Sequence, residues 1–479
     1  MKSSNIKIFL FAFASCLLLA ACKKQLNVLP TTSEVDGDVI TDVQSARTTL
    51  NGVYYRFADA GADYNSIPIT QWYDVQEGIP SELAGLVTYP YGGSEVTDHT
   101  FNATSLSVGI IWNYGYNLVN AANGFLKNVE PVAAIASPVK QEMIAEAKFL
   151  RAFGNATLLL YYGQYYDPTS QYGIILRNEF VTAGKINLPR SSVADAYTSI
   201  LADLDSAIAF LPSENSQKYY ANVWAVKLLK ARVLINRGAA EDYTAVIDLT
   251  KDIIANSPFS LEDNVKDIFL SKGFNSNEVM LGIQPYTKGG SGKYSQYLYY
   301  TDYVGSDSLK SLFTNDPRNE WMYKTITNPY FGTDEHLITK YYPGSVDNRA
   351  PDPITEYSYA FRLTEAYLLE AEAITLSAGD MDEAKALLKE VMKHAGITDF
   401  TAVDAATTKD ALQLLVVKEE MKNFVAEGGQ DWLAVRRLPF ATLQELIPVI
   451  KDKNQLILPI PESEITSNAQ LAGKQNPGY

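Results

Sequence analysis

The sequence predicts a mainly α-helical chain built from stacked pairs of amphipathic helices, and three observations carry that expectation. Apolar residues recur with helical period over most of the chain. Capping and stop signals fall at the ends of those periodic stretches. Two long stretches, 58–104 and 259–353, lack the period and are rich in Gly, Pro, Asn and Tyr. Long irregular segments in a compact protein are usually functional, so the binding surface is expected there.

Taken in order, residues 46–57 and 108–127 carry broad apolar stripes. Ser137 and Pro138 supply a cap and a first-turn proline for a long helix reaching about Tyr162. Within it Met143, Ala147, Leu150, Gly154 and Leu158 share one face, and Ala145, Ala152, Gly154 and Ala156 admit a close neighbour. Ser192 can cap a helix through Leu211, which Pro212 halts. Helices over 220–236 and 243–255 follow, separated by Gly238. The same unit returns later: a helix over 358–377 ends at Gly379, and Asp380 with Glu383 makes a capping box for one ending at His394. Another runs from about Lys409 to Phe424 or beyond. Helix pairs of about 15 to 20 residues with short turns predict a tetratricopeptide-like superhelix carrying long irregular ligand-binding loops. Strict 34-residue self-similarity is absent, so the pairing of helices carries this expectation.

The N-terminus has its own logic. Lys2 and Lys7 form a basic start, and residues 8–19 make an apolar run too short to span a bilayer. Leu18-Leu19-Ala20-Ala21-Cys22 then resembles a bacterial lipoprotein box. The resemblance implies cleavage before Cys22, lipid on its sulfur and an acylated amine. Each buried methylene contributes about 0.8 kcal/mol, so several acyl chains anchor a protein that one would hold only marginally. Residues 1–21 are therefore expected to leave as a signal peptide. Cys16 leaves with them, and no free thiol or disulfide remains.

Composition excludes several classes of function. The formal charge is -15, and loss of Lys2 and Lys7 makes it more negative by two. No basic stripe offsets that charge, so a nucleic-acid partner is not expected. No later segment approaches 18 uninterrupted apolar residues. The chain has 3 His, none in a metal or catalytic pattern, so no catalytic residue, metal or cofactor is assigned. Gly289-Gly290-Ser291-Gly292-Lys293 superficially resembles a phosphate loop. Thr287 stands at the first-glycine position and Tyr294 follows the lysine, so a flexible loop is expected. No GxSxG occurs.

Tyrosine is over-used, with 31 copies against 5 Trp and 19 Phe. Its flat face and hydroxyl suit a surface that binds something polar and ring-shaped. The irregular stretches hold Gln71, Trp72, Tyr73 and Asp74, then Tyr89 and Tyr91, then a run of aromatic and polar residues from Tyr294 to Tyr303. The candidate ligand-binding residues are Trp72, Tyr73, Asp74, Tyr91, Tyr297, Tyr299 and Tyr300. Trp224 and Trp432 occupy helical core positions, and Trp112 and Trp321 are also assigned to the core.

Several ordered motifs resemble one family. Ala145-Glu146-Ala147-Lys148-Phe149-Leu150-Arg151-Ala152-Phe153, preceded by YNLVNAAN from Tyr116 to Asn123, resembles the signature helices of the SusD/RagB family. Asp316-Pro317-Arg318, Lys340-Tyr341, the helix RLTEAYLLEAEA from Arg362, and the tail with Leu458-Pro459-Ile460-Pro461-Glu462 and Gln475-Asn476-Pro477-Gly478-Tyr479 continue it. The resemblance implies an N-terminal SusD-like region over 22–258 and a C-terminal SusD/RagB region over 259–479. It also implies a non-enzymatic outer-membrane lipoprotein, lipid-anchored and facing the cell exterior. Such a protein binds an oligosaccharide and acts as the lid of a TonB-dependent, SusC-like transporter. An oligopeptide-binding member of the same family is the alternative, and a tethered glycoside hydrolase is a weaker one. Around Glu427-Gly428 the sequence departs from the family pattern. There the usual buried Arg–Asp pair is expected to be lost or replaced by Asp431 with Arg436 or Arg437.

The lipoprotein box yields a first prediction. Cys22→Ala should abolish incorporation of a labelled fatty acid in the producing cell. Equal labelling of mutant and wild type would end the lipid-anchor assignment.

Overall fold

The computed structural model describes residues 39–61, 69–286, 292–329, 332–342 and 353–479. Cys22 and its box, and residues 287–291 of the glycine-rich stretch, lie outside the described residues. The principal helices are α1 (Val43–Phe57), α2 (Leu106–Val129), α3 (Ser137–Tyr162), α4 (Val193–Ile208), α5 (Val223–Arg237) and α6 (Ala240–Asn256). Further along come α7 (Leu363–Leu376), α8 (Met381–His394), α9 (Lys409–Phe424) and α10 (Gln430–Val435). Each helix from α2 to α6 packs on the next; α7 then packs on α6, α8 and α9. This is the mainly α, stacked-pair architecture that the apolar period predicts.

Local chemistry explains most boundaries. Side chains of Asp42, Ser192, Asn222 and Thr408 each accept from a backbone N–H in the first turn of the helix they precede. Helices α2 and α3 approach closely because Gly154 faces Val119 and the Gly115 carbonyl. A Cβ at Gly154 would stand 2.9 Å from the Val119 side chain, and one at Gly115 would stand 2.6 Å from Leu158.

Three local expectations are corrected. Ser137 lies inside its helix, and Ala136 precedes it without a side-chain cap. Asp380 does accept from Asp382 N, at 2.9 Å, but Glu383 does not return the bond; it reaches Lys251 on α6 instead. The helix expected from Ser358 starts only at Leu363. Ser358–Arg362 is instead β6, paired antiparallel with β2 (Val279–Ile283). Both strands are wholly buried, so a distant partner overrides the helical period here.

Four short strands form a second sheet in the order β1-β3-β5-β4: β1 (Val87–Thr88), β3 (Val304–Gly305), β4 (Tyr323–Thr327) and β5 (Asp334–Ile338). The four-stranded sheet and β2 belong to the stretches without helical period, whereas β6 lies in a stretch expected to be helical. The main apolar core runs without a break from Ile40 to Leu471, and a smaller cluster fills the space between α7, α8 and α9.

Buried ion pairs tie successive elements together. Arg47 and the Tyr54 hydroxyl of α1 both reach Glu146 of α3, at 2.8 and 2.6 Å. Arg151 of α3 binds Asp203 of α4 through two 2.7 Å bonds. Arg232 of α5 does the same with Glu365 of α7, again at 2.7 Å. Arg318 joins Asp316 to Glu419 of α9. At the centre, Arg362 and Lys340 share Glu427, and Arg362 also holds Glu278 at 2.6 Å. Burial would push the Glu427 carboxyl up, yet Arg362 and Lys340 hold it below the usual range.

The pairing expected of Asp431 does not form. Asp431 accepts from the Ser81 hydroxyl and the Trp432 N–H. Arg436 donates to the Leu160 and Leu456 carbonyls, and Arg437 binds Glu372 and Glu420. Asp431 lies at the first turn of α10 with its carboxylate turned to Ser81, so neither arginine is its partner.

Removing one partner of a buried pair costs more than the pair contributes net, because a charge is left uncompensated. Glu427→Gln should therefore lower stability by about 3 to 5 kcal/mol. The exposed Lys251–Glu383 pair supplies the control, since exposed pairs contribute little. Denaturant midpoints of Glu427→Gln and Glu383→Gln measure the contrast, and equal midpoints would show that the network carries no special weight.

Candidate functional site

The two irregular stretches meet through a minimal sheet. Antiparallel pairing sets Val87 opposite Gly305 and Thr88 opposite Val304. That register places the residues leaving β1 beside those entering β3. Tyr89 and Tyr91 therefore stand next to Tyr299 and Tyr300. The Tyr91 hydroxyl donates to the Tyr300 carbonyl at 2.6 Å and lies 2.7 Å from the Thr301 hydroxyl. Tyr89 meets Tyr91 edge to face with ring centroids 5.1 Å apart, and Tyr299 meets Tyr300 likewise at 4.9 Å. All four rings are exposed, from 39% for Tyr89 to 63% for Tyr299. Four exposed aromatic rings, paired edge to face and joined by the Tyr91–Tyr300 hydrogen bond, form the candidate site.

A rigid base supports them. Ser295–Tyr299 winds as a wide π-type turn that buries Tyr297. Lys293 is buried beneath it, binding Glu77 at 3.0 Å and the Tyr357 carbonyl at 2.7 Å. Its ammonium also lies 3.5 Å from the Tyr341 ring centroid. The lysine that superficially resembles a phosphate-loop residue is thus a strut. On the other side Glu82 accepts from Ser94 and Thr97, both at 3.0 Å, and pins the loop that carries Tyr89 and Tyr91. Tyr303 descends from the site and donates to Asp74 at 2.7 Å. It lies flat against Gly78, where a Cβ would come within 2.6 Å of the ring.

The expected ligand residues divide into two groups. Tyr91, Tyr299 and Tyr300 are exposed and together. Asp74 is half-buried below them, held by Tyr303. Trp72, Tyr297 and Tyr73 are instead packed inside, at 0%, 2% and 7% exposure. Trp72 sits among Phe57, Tyr114 and Phe153 with ring centroids 5.1 to 6.2 Å away. It lies between α1, α2 and α3, so no sugar ring could reach its face. Tyr297 is covered by Tyr303 and Tyr341. Tyr89, although in the same sequence run, was not among the seven candidates. Just beyond Tyr91 the chain turns through Gly92 and Gly93, both in the left-handed region, a geometry that no helical or strand period reveals.

Carboxylates crowd the base. Burial and the charge of Asp74 push Asp59 up to about 8. Burial pushes Asp74 up to about 6, against the hydrogen bond from Tyr303. Among the described residues, no group of three or more His, Cys, Asp and Glu is placed to hold a metal. The histidines meet protein partners: His99 the Leu83 carbonyl, His336 the Thr325 hydroxyl and His394 the Glu262 carbonyl. A cavity of about 890 Å³ shares no lining residue with the tyrosines.

Two family descriptions match the chain. One, "starch-binding associating with outer membrane", covers residues 85–235, and the other, "SusD family", covers residues 333–446. The chain belongs to the SusD family. A SusD-like protein (P25) of Formosa agariphila is 22% identical over 66% of this chain, which spans 57% of that relative's length. A SusD superfamily protein of Bacteroides thetaiotaomicron superposes with a TM-score of 0.74 at 22% identity, covering 91% of this chain and 100% of the other. A laminarin-binding SusD-like protein gives 0.71 at 20% identity, covering 92% and 100%. These structural likenesses establish the fold. Among the described residues no helix is long and apolar enough to cross a membrane.

The buried carboxylates set a pH dependence. The fold keeps the Asp59 proton up to about pH 8, whereas the unfolded chain releases it near about pH 4. The folded state therefore binds more protons between those values, and stability falls as pH rises through that window. Asp59→Asn, which tolerates the left-handed backbone at this position, should melt close to wild type near pH 4 and above it at pH 9. A melting difference that does not grow with pH would show that Asp59 is ionised in the fold.

Proposed function

We propose that this protein captures oligosaccharides on the surface formed by Tyr89, Tyr91, Tyr299 and Tyr300. In this reading it is a non-catalytic lipoprotein anchored through Cys22 at the outer face of the outer membrane, delivering its ligand to a TonB-dependent, SusC-like transporter. The observation that carries the reading is the cluster itself: four exposed rings from two distant segments, braced from below by buried ion pairs. Sugar rings present C–H faces to aromatic platforms and hydroxyls to neighbouring polar groups, and this surface offers both. Family membership supports the outer-membrane setting. The laminarin-binding neighbour supports a glycan ligand over a peptide, since peptide backbones call for a ladder of hydrogen-bonding groups more than for flat rings. The strongly acidic chain argues against nucleic acid.

Truncation of binding hot spots typically costs about 2 kcal/mol or more. Tyr299→Ala with Tyr300→Ala should therefore weaken binding to a polysaccharide selected from a panel including laminarin by more than tenfold, with the melting temperature nearly unchanged. Affinity electrophoresis and calorimetry read the first quantity, and a thermal melt the second. Unchanged affinity in the folded variant would move the site elsewhere. Reproducible release of reducing ends would replace the binding role with hydrolysis, and binding only to peptides would establish the oligopeptide alternative.

A further inference from the structure

The cavity of about 890 Å³ lies between the loop 99–104 and the C-terminal stretch 452–479. Its size falls within the range of small-molecule sites, which are concave, largely apolar and dressed with a few converging polar groups. One wall is a stacked aromatic pair, Phe101 and Tyr479, with ring centroids 6.0 Å apart and planes 27° from parallel. Phe101 is buried, while Tyr479 is 37% exposed. The Tyr479 hydroxyl donates to the Ile457 carbonyl at 2.9 Å, which fixes the ring.

The wall behind it is built rather than draped. Asn476 is buried and donates to the Tyr162 and Leu458 carbonyls at 2.8 and 2.7 Å, while Arg190 holds its amide oxygen at 2.8 Å. Gln455 donates to the His99 carbonyl at 3.0 Å, so the tail and the loop are bonded to each other across the cavity. His99 itself is only 4% exposed and holds a left-handed backbone, φ 50°, which histidine adopts more readily than most residues. Its Nε2 bonds to the Leu83 carbonyl.

The polar chemistry of the lining has one sign. Asp452 and Glu462 are carboxylates, Asn102 and Asn454 are amides, and none of the lining residues is Lys or Arg. Carboxylates and amides accept from hydroxyl groups, and the amides also donate. An anionic ligand would meet two like charges with no cation to offset them. A neutral ring can lie on Tyr479 and give its hydroxyls to Glu462 and Asn454. We propose that this cavity is a second saccharide site, taking a neutral sugar ring and acting independently of the tyrosine surface.

Saturation-transfer NMR tests this in the Tyr299→Ala, Tyr300→Ala background, where the first surface is disabled. The probes are neutral mono- to tetrasaccharides of glucose, galactose and mannose, with galacturonate and a lysine tripeptide for comparison. At least one neutral saccharide should receive saturation in that background. The signal should fall at least fivefold when Tyr479→Ala is added, and also when Glu462→Gln is added. Glu462 is exposed, so its substitution keeps the tail folded even where Tyr479→Ala loosens it. Three results overturn the proposal: no saccharide signal in the background, a signal indifferent to both added substitutions, or transfer only to galacturonate or the tripeptide. Signal present in wild type and lost in the background alone also overturns it, while upholding the tyrosine surface, so the two sites fail separately.

Discussion

Glu427 is the point on which the strands and helices of the C-terminal region converge. Its carboxylate takes Arg362 from the end of β6 and Lys340 from the residues after β5, and Arg362 passes on to Glu278 at the entrance to β2. All four side chains are buried. Placing charges there has a large desolvation cost, which only close mutual pairing offsets. Such pairing is strict about geometry, so it fixes β6 against β2, and the start of α7 against the end of α9. Lys340 adds bonds to the carbonyls of Asn423 and Val425, which caps the C-terminal end of α9.

The candidate site inherits its rigidity from that centre. Glu77 and Lys293 form a second buried pair close to the first, and burial lowers Lys293 while Glu77 opposes the shift. Above this pair the turn over Ser295–Tyr299 buries Tyr297 and turns Tyr299 and Tyr300 outward. An exposed aromatic surface faces an entropic penalty if its loops must be ordered on binding. Here the ordering is supplied beforehand by Glu82, Lys293 and Tyr303. Asp74 and Asp59 are the counterpart of that arrangement: carboxylates kept near a dry base, with proton affinities raised by burial.

The motifs that identify the family turn out to be motifs of assembly. Glu146 and Arg151 tie α3 to α1 and α4; Arg318 ties its segment to α9; Arg362 and Glu365 tie β6 and α7 to Glu427 and Arg232. Asn123 and Tyr116 hold the loop after α3 by bonds to the carbonyls of Arg177 and Ile175. None of these residues lies in the tyrosine surface. Family recognition from sequence is therefore strong for the scaffold and nearly silent about the ligand.

Helical period and end signals were enough to locate most of the long helices to within a few positions, because each depends on local spacing and on one buried face. The over-use of tyrosine and the two aperiodic stretches were enough to say where a site would be sought. Which aromatics face water was beyond that reading. Trp72 and Tyr299 occupy similar surroundings in the sequence, yet one is sealed between three helices and the other stands in solvent. The difference comes from the pairing of β1 with β3, from the strand that displaced the start of α7, and from charges that meet across distances of up to hundreds of residues. Local sequence sets which faces are apolar; only the tertiary structure decides which of them finds a partner.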